Sequence, residues 1–137
     1  MKRRASAPRP RVADHARKAA VACARALDAK LGESVLILDL RRRSSFADYI
    51  VIATGTSAPH LRALRDEVED AMDRIKARLH HREGEIGSPW ILLDGGSVVV
   101  HLFEVAARRH YDLEHLWADA PVVKWAAPVK APAASGR

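Results

Sequence analysis

Hydrophobic positions recur along the chain with two different periods. In two segments they are three or four residues apart, which predicts helices over 14–30, with Asp14 as the N-cap, and from Gly55, Thr56 and Ser57 to about Arg78. Gly32 is placed to stop the first helix. The expected buried stripes are Ala16, Ala20, Cys23, Leu27 and Leu31 in the first helix, and Leu61, Leu64, Val68, Met72, Ile75 and Leu79 in the second.

Short apolar runs separate and follow these helices. They predict strands over 35–40, 48–54, 90–94 and 97–103, and a weaker edge strand over 80–86. Asp94, Gly95 and Gly96 join two of these runs and are typical of a hairpin turn. A last helix ends near Trp117, with Leu113, Leu116 and Trp117 expected to be buried. This order predicts an α/β fold in which a mixed central sheet of about five strands is flanked by helices.

The chain of 137 residues has room for one domain, expected over 13–121. The segments 1–12 and 122–137 are poor in large apolar residues and are predicted to be disordered. Eight of the 23 basic residues and none of the 17 acidic residues lie in these two segments. The body between them therefore carries 15 basic and 17 acidic residues, a net charge of −2, although the whole chain has a formal net charge of +6. A slightly acidic body favours a basic protein partner over nucleic acid, while the tails can make peripheral contacts with rRNA phosphates.

Targeting signals and cysteine content bear on location. The sequence contains no run of about 18 apolar residues, so no membrane span is predicted. The basic first ten residues lack the apolar segment of a secretory signal. The single cysteine, Cys23, excludes an internal disulfide and is expected to be a small buried hydrophobe. These features predict a cytoplasmic protein that does not bind membranes.

The sequence contains few residue patterns that could support catalysis. Gly55, Thr56 and Ser57 superficially resemble a phosphate-binding turn, but no predicted strand carries the Asp-x-Asp pair that a two-metal nucleotidyl transfer requires. The same turn is more simply a tight turn followed by an N-cap. Metal binding by His80, His81, Glu83 and Glu85 is disfavoured, because adjacent strand residues point to opposite faces. We therefore predict no catalytic residues, no metal and no cofactor.

Five segments in order resemble the ribosomal silencing factor family, RsfS, also called the Iojap family. The resemblance covers roughly residues 15–121 and is carried by Leu38-Asp39, by 47–57 (Ala-Asp-Tyr-Ile-Val-Ile-Ala-Thr-Gly-Thr-Ser), by Trp90–Asp94, by 98–101 (Val-Val-Val-His) and by 111–117 (Tyr-Asp-Leu-Glu-His-Leu-Trp). Two positions depart from the family pattern, which usually has a basic residue at Pro59 and an aspartate at Ser97. The polar contacts that the family makes near these two positions are therefore not assumed for this chain.

The resemblance implies a fold related to nucleotidyltransferases but without their catalytic carboxylates or activity. It implies binding to the large ribosomal subunit through the universal large-subunit protein fourteen, which sterically blocks subunit joining and represses translation when nutrients are scarce. A link to ribosome biogenesis, through late assembly of the large subunit, is implied as well.

The family's binding surface includes the tryptophan that corresponds to Trp90. Considered alone, Trp90 is compatible with either a core or an interface position, and the resemblance favours the interface. Our predicted contact residues are Trp90, Ile91, Leu93, Asp94 and Gly96. Two other hypotheses stay open, a cryptic nucleotide-binding protein and a general RNA-binding module, and the apolar hairpin also leaves homodimerisation open.

Overall fold

A computed structural model describes residues 10–85 and 87–125. Its elements are α1 (Pro10–Ala29), β1 (Glu33–Asp39), β2 (Tyr49–Gly55), α2 (Ala58–Arg74), β3 (His81–Glu83), β4 (Trp90–Asp94), β5 (Val98–Glu104), α3 (Val105–Tyr111) and α4 (Leu113–Leu116). The strands form one sheet in the order β1-β2-β5-β4-β3. Because β2 and β5 are parallel and the other pairs antiparallel, the sheet is mixed, and the predicted fold class is confirmed.

The two faces of the sheet are covered unequally. Helices α1 and α2 pack on one face, over inward side chains that include Ile37, Val51, Leu93 and Leu102. On the other face, α3 and α4 cover a smaller cluster around Ile52 and Phe103. That cover lies mainly over β1, β2 and β5. In the described part of the chain it reaches β4 where Tyr111 of α3 contacts Trp90, and it leaves the outer side of β3 and the rest of β4 open.

Helix α1 differs from its prediction at both ends. It begins at Pro10, so Asp14 lies inside the helix and is not its N-cap. It ends at Ala29, and Leu31 takes a left-handed conformation with φ of 66°, which leaves its side chain 78% exposed rather than buried. Gly32 then donates its N–H to the Leu27 carbonyl over 2.8 Å and completes the helix stop.

Helix α2 begins as predicted and ends earlier. The Ser57 hydroxyl accepts the His60 N–H over 3.1 Å, which confirms Ser57 as the N-cap, and Pro59 fits in the first turn. The helix stops at Arg74 instead of near Arg78, and Lys76 then adopts φ of 59°. The predicted stripe is nevertheless buried from Leu61 to Met72.

The final predicted helix is broken in two. Asp112 adopts φ of 48° between α3 and α4, so the chain turns there. This turn directs Leu113 and Trp117 toward the smaller cluster but leaves Leu116 exposed, so the expected burial of Leu116 was wrong.

Ser97 contributes its backbone carbonyl, which accepts the N–H groups of Asp48 and Tyr49, and this contact does not depend on the side chain that departs from the family pattern.

Ordered packing continues past residue 121. Val122 pairs with Leu38 of β1, the Val123 N–H donates to the Ile37 carbonyl over 2.9 Å, and the Val123 side chain is buried. Trp125 packs against the larger cluster. Residues 122–125 belong to the predicted C-terminal tail, yet their backbone pairs with the free edge of β1, and the side chains of Val123 and Trp125 pack against the larger cluster. The remaining tail segments, 1–9 and 126–137, lie outside the described residues.

Candidate functional site: an open face of the sheet

The uncovered side of β3, β4 and β5 is the candidate binding surface. Strand alternation places Trp90, Leu92 and Asp94 of β4 on this side, and all three are half-buried. Leu92 lies beside Glu83 of β3 in the sheet register, and Asp94 lies beside Val99 of β5. We define the open face by these five residues. It combines a large aromatic ring and two aliphatic side chains with two carboxylates.

The Trp90 ring is held by a cluster of aromatic residues. It stacks on Phe103 with ring centroids 5.2 Å apart and contacts Tyr111 at 4.5 Å. Its indole Nε1–H donates to Nδ1 of His101 over 3.1 Å. Trp90 is therefore partly core and partly surface: it is fixed on one side and reaches solvent on the other, which is the geometry of a rigid interface anchor.

His101 is the buried polar partner of this cluster. It is 8% exposed, and burial lowers its pKa from 6.5 to about 4. A ring nitrogen that accepts a hydrogen bond carries no proton, so the contact with Trp90 requires the neutral ring with its proton on Nε2. The orientation of Trp90 is thus coupled to the protonation state of His101.

Two of the five predicted contact residues point away from the open face. Ile91 is 2% exposed and Leu93 is fully buried, and both pack beneath α1 and α2. Neither side chain is available to a partner in this fold, because neighbouring residues of a strand point to opposite faces. Leu92, which the prediction left out, takes their place beside Trp90 on the open face.

Asp94 and Gly96 shape the hairpin turn. The Gly96 N–H donates to Asp94 Oδ1 over 2.8 Å, and Gly96 has φ of 85°, which favours glycine. The turn fixes the register of β4 against β5, and therefore decides which β4 side chains reach the open face.

A hollow of about 280 Å³ borders the open face. Its walls come from the β3–β4 connection, from α3 and from the strand residues Glu83, Trp90 and Leu92. Ser88 closes the connection by donating its hydroxyl to the Trp90 carbonyl over 2.8 Å. Tyr111 lines the opposite wall and is about half exposed. The hollow offers aromatic surfaces and one carboxylate, which suit an apolar or cationic side chain of a partner.

The turn that resembles a phosphate-binding loop is occupied by its own side chains. Nδ1 of His60 accepts the Thr56 N–H over 2.9 Å, and the His60 N–H is taken by Ser57. Two of the N–H donors that could hold a phosphate are therefore used within the turn. Within residues 10–85 and 87–125 no group of three His, Cys, Asp or Glu residues has metal-site geometry. His81 instead contacts Glu83, with Nε2 and Oε2 2.8 Å apart.

Arg108 joins the end of the sheet to the last helices. Its guanidinium forms an ion pair with Glu114 at 2.8 Å and donates to the Ser34 carbonyl and the Thr54 hydroxyl. These contacts make Arg108 a structural residue, while neighbouring Arg109 is exposed.

The chain has an α/β fold with a mixed five-stranded sheet and one partly open face. The family model described as "Ribosomal silencing factor during starvation", RsfS, matches residues 13–137. The chain belongs to this family.

Individual relatives agree with the family assignment. The chain is 39% identical over 104 residues to the ribosomal silencing factor RsfS of Bacillus subtilis, an alignment that covers 76% of this chain and 85% of that protein. It is 31% identical over 86 residues, or 61% of its length, to a mouse protein named mitochondrial assembly of ribosomal large subunit protein 1, and covers 38% of that protein.

Solved structures support the fold. A crystal structure of a protein from Chromobacterium violaceum matches with a TM-score of 0.72 and 29% identity, over 74% of this chain and 85% of that one. A crystal structure of a protein from Bacillus halodurans matches with a TM-score of 0.69 and 30% identity, over 79% and 98%. Among the described residues, no helix has the length and apolar character needed to cross a membrane.

Proposed function

We propose that this protein represses translation under nutrient limitation by binding the large ribosomal subunit and blocking its union with the small subunit. The partner is the universal large-subunit protein fourteen, and the contact surface is the open face. This surface, in which an anchored Trp90 is flanked by Leu92 and by the carboxylates of Glu83 and Asp94, is the observation that carries the proposal.

The chemistry of the open face fits a basic protein better than a small molecule. Trp90 and Leu92 supply apolar area whose desolvation favours association, and Trp90 keeps its orientation because His101 and Phe103 hold it. Glu83 and Asp94 add negative charge at the border, which attracts a positively charged partner and fixes its orientation. No catalytic step is needed, because a bound protein of this size can exclude the other subunit sterically.

Leu92 provides the sharpest test of the surface. Trp90→Ala would remove contacts to Phe103, Tyr111 and His101, so a loss of binding would be mixed with damage to the fold. Leu92→Ala removes only a half-buried side chain and is expected to weaken binding to the purified large-subunit protein at least fivefold, roughly 1 kcal/mol. Leu31→Ala, the same change at an exposed site elsewhere, is the matched control.

The same titration tests whether the negative charge of the open face contributes to binding. Glu83→Lys should weaken binding about tenfold at low salt and less at high salt, since border charges act mainly through screened attraction. Asp70→Lys makes the same charge change on the exposed side of α2 and should have little effect. Equal affinities for all four variants and the parent chain would refute the open face as the contact surface.

Assembly of the large subunit is a second candidate role, favoured by the name of the mouse relative. It uses the same subunit and the same surface. Deleting the gene would then cause large-subunit precursors to accumulate during growth in rich medium, whereas a silencing role alone predicts a defect only in starvation.

A further inference from the structure

The outward side of α1 carries a stripe of basic residues. Arg17, Lys18 and Arg25 are exposed, and Val21 and Ala22 lie between them at half-buried positions. Positions 17, 21 and 25 are four residues apart, so they share one side of the helix over about 12 Å. Asp28, an acidic residue on this side, lies about one turn beyond Arg25.

This stripe is continuous with the loop after β1. Arg41 binds the Asp39 carboxylate through two hydrogen bonds of 2.8 and 3.0 Å. The pKa of Asp39 is lowered chiefly by this hydrogen bonding, with a smaller contribution from the positive charge of Arg17. Helix α1 packs along β1, and only residues 30–32 join the two elements, so Asp39 at the far end of β1 lies toward the start of α1, where Arg17 is. The stripe on α1 and the loop after β1 are therefore neighbours. We name Arg17, Lys18, Arg25, Arg41 and the exposed Arg42 the basic face.

The same loop presents an aromatic ring to solvent. Phe46 is 90% exposed, although burial of such a ring is normally favourable. Its backbone N–H donates to the Ser44 hydroxyl over 3.0 Å, which shapes the loop around it. An exposed aromatic side chain close in sequence to three arginines is the combination with which proteins bind single-stranded nucleic acids. The ring stacks on a base, and the arginines attract the phosphates.

We propose that the basic face binds a single-stranded RNA segment, with the α1 side chains holding its phosphates and Phe46 stacking on an unpaired base. Charge complementarity selects RNA as the occupant: the Arg41–Asp39 pair is neutral, and Arg17, Lys18, Arg25 and Arg42 outnumber the one other carboxylate nearby, Asp28, so the face keeps a net positive charge. The basic face lies at the β1 edge of the sheet and the open face at the β3 edge. Protein and RNA can therefore be bound at the same time, and RNA binding does not depend on the identity of the protein partner.

The test measures RNA affinity of the full chain by fluorescence anisotropy. The probe is a labelled RNA strand of about 12 nucleotides, used alone and annealed to its complement. The test variant is Arg17→Ala/Lys18→Ala/Arg25→Ala, and the matched control is Arg62→Ala/Arg74→Ala/Arg78→Ala, which removes the same charge from exposed positions on and just after α2. Both variants keep the basic tails, so tail binding cancels in the comparison.

We expect the test variant to lose at least about tenfold in affinity and to reduce the slope of log K against log salt by about 2, since each phosphate contact contributes about 0.7. The control should stay within about twofold. Equal losses in both variants would overturn the proposal and assign binding to net charge or to the tails.

Phe46→Ala tests the stacking contact separately. Its expected effect is a loss of about tenfold for the single strand and no change for the duplex, whose bases are not available to stack. Because Phe46 is exposed, the variant should melt at the parent's temperature. Unchanged affinity for the single strand, or displacement of the RNA by an equal concentration of poly-glutamate, would overturn the proposal; the latter would assign the face to an acidic protein.

Discussion

The contact between His101 and Trp90 predicts that acid destabilises the protein through one buried ring. The pKa of His101 is lowered from 6.5 to about 4 in the folded chain because its ring is desolvated, and Trp90 donates to its unprotonated Nδ1. Between these two pH values the unfolded chain binds a proton that the folded chain excludes. Stability is therefore complete above about pH 6.5 and is lost as the pH falls toward 4.

The size of the effect follows from the pKa difference. At 1.36 kcal/mol for each pKa unit, the loss is about 3 kcal/mol once the pH reaches 4, and about 2 kcal/mol at pH 5. A loss of this size is a considerable part of the stability of a small domain. It acts on the open face directly, because protonation removes the acceptor that orients Trp90.

Urea unfolding at about pH 7.5 and pH 5, followed by circular dichroism, measures the difference. His101→Gln replaces the ring by an amide that stays neutral, and should reduce the pH dependence by about 2 kcal/mol. His115→Gln, at an exposed position, should leave it unchanged. The reasoning is refuted if His101→Gln retains the parent's pH dependence, or if NMR titration shows the His101 ring protonating near pH 6.5.

Three further predictions follow from local contacts. Arg108→Ala should lower the free energy of unfolding by about 2–3 kcal/mol because it leaves Glu114 and a buried hydroxyl without their partner, whereas Arg109→Ala should change it by less than about 0.5 kcal/mol in the same urea titration. Ser57→Ala removes an N-cap and should cost about 1 kcal/mol, with Ser57→Asp retaining most of the stability. Cys23 has a pKa raised to about 12 by burial, so a thiol reagent should label it only as fast as the chain unfolds; rapid labelling of the native protein would contradict its burial.

Periodicity was a good guide to the elements and a poor guide to their ends. The α2 stripe from Leu61 to Met72 and the hairpin at Gly95 and Gly96 could both be predicted, because each has a strong local pattern. The early ends of α1 and α2 could not, since Leu31 and Lys76 adopt left-handed conformations that glycine usually takes. Tertiary contacts decide these positions.

Of the five predicted contact residues, Trp90 and Asp94 lie on the open face, and Gly96 lies in the turn beside it. Four consecutive apolar or aromatic residues of β4 obscure its alternation. The pattern therefore does not separate Ile91 and Leu93 from Leu92, although strict alternation from Trp90 selects Leu92 for the open face. The near-zero charge of the body also concealed the separation of the basic face from Glu83 and Asp94, because a net charge carries no information on position. Only the arrangement in space distinguishes these two surfaces.

Sedimentation of purified subunits shows whether the bound protein keeps the ribosomal subunits apart. Protein is added to large subunits before small subunits, and the gradient is compared with one that contains Leu92→Ala or the Leu31→Ala control. We expect the parent chain and the control to migrate with the large subunit and to deplete joined ribosomes, and Leu92→Ala to do so less. A parent chain that stays at the top of the gradient, or that sediments with joined ribosomes without reducing them, would contradict it.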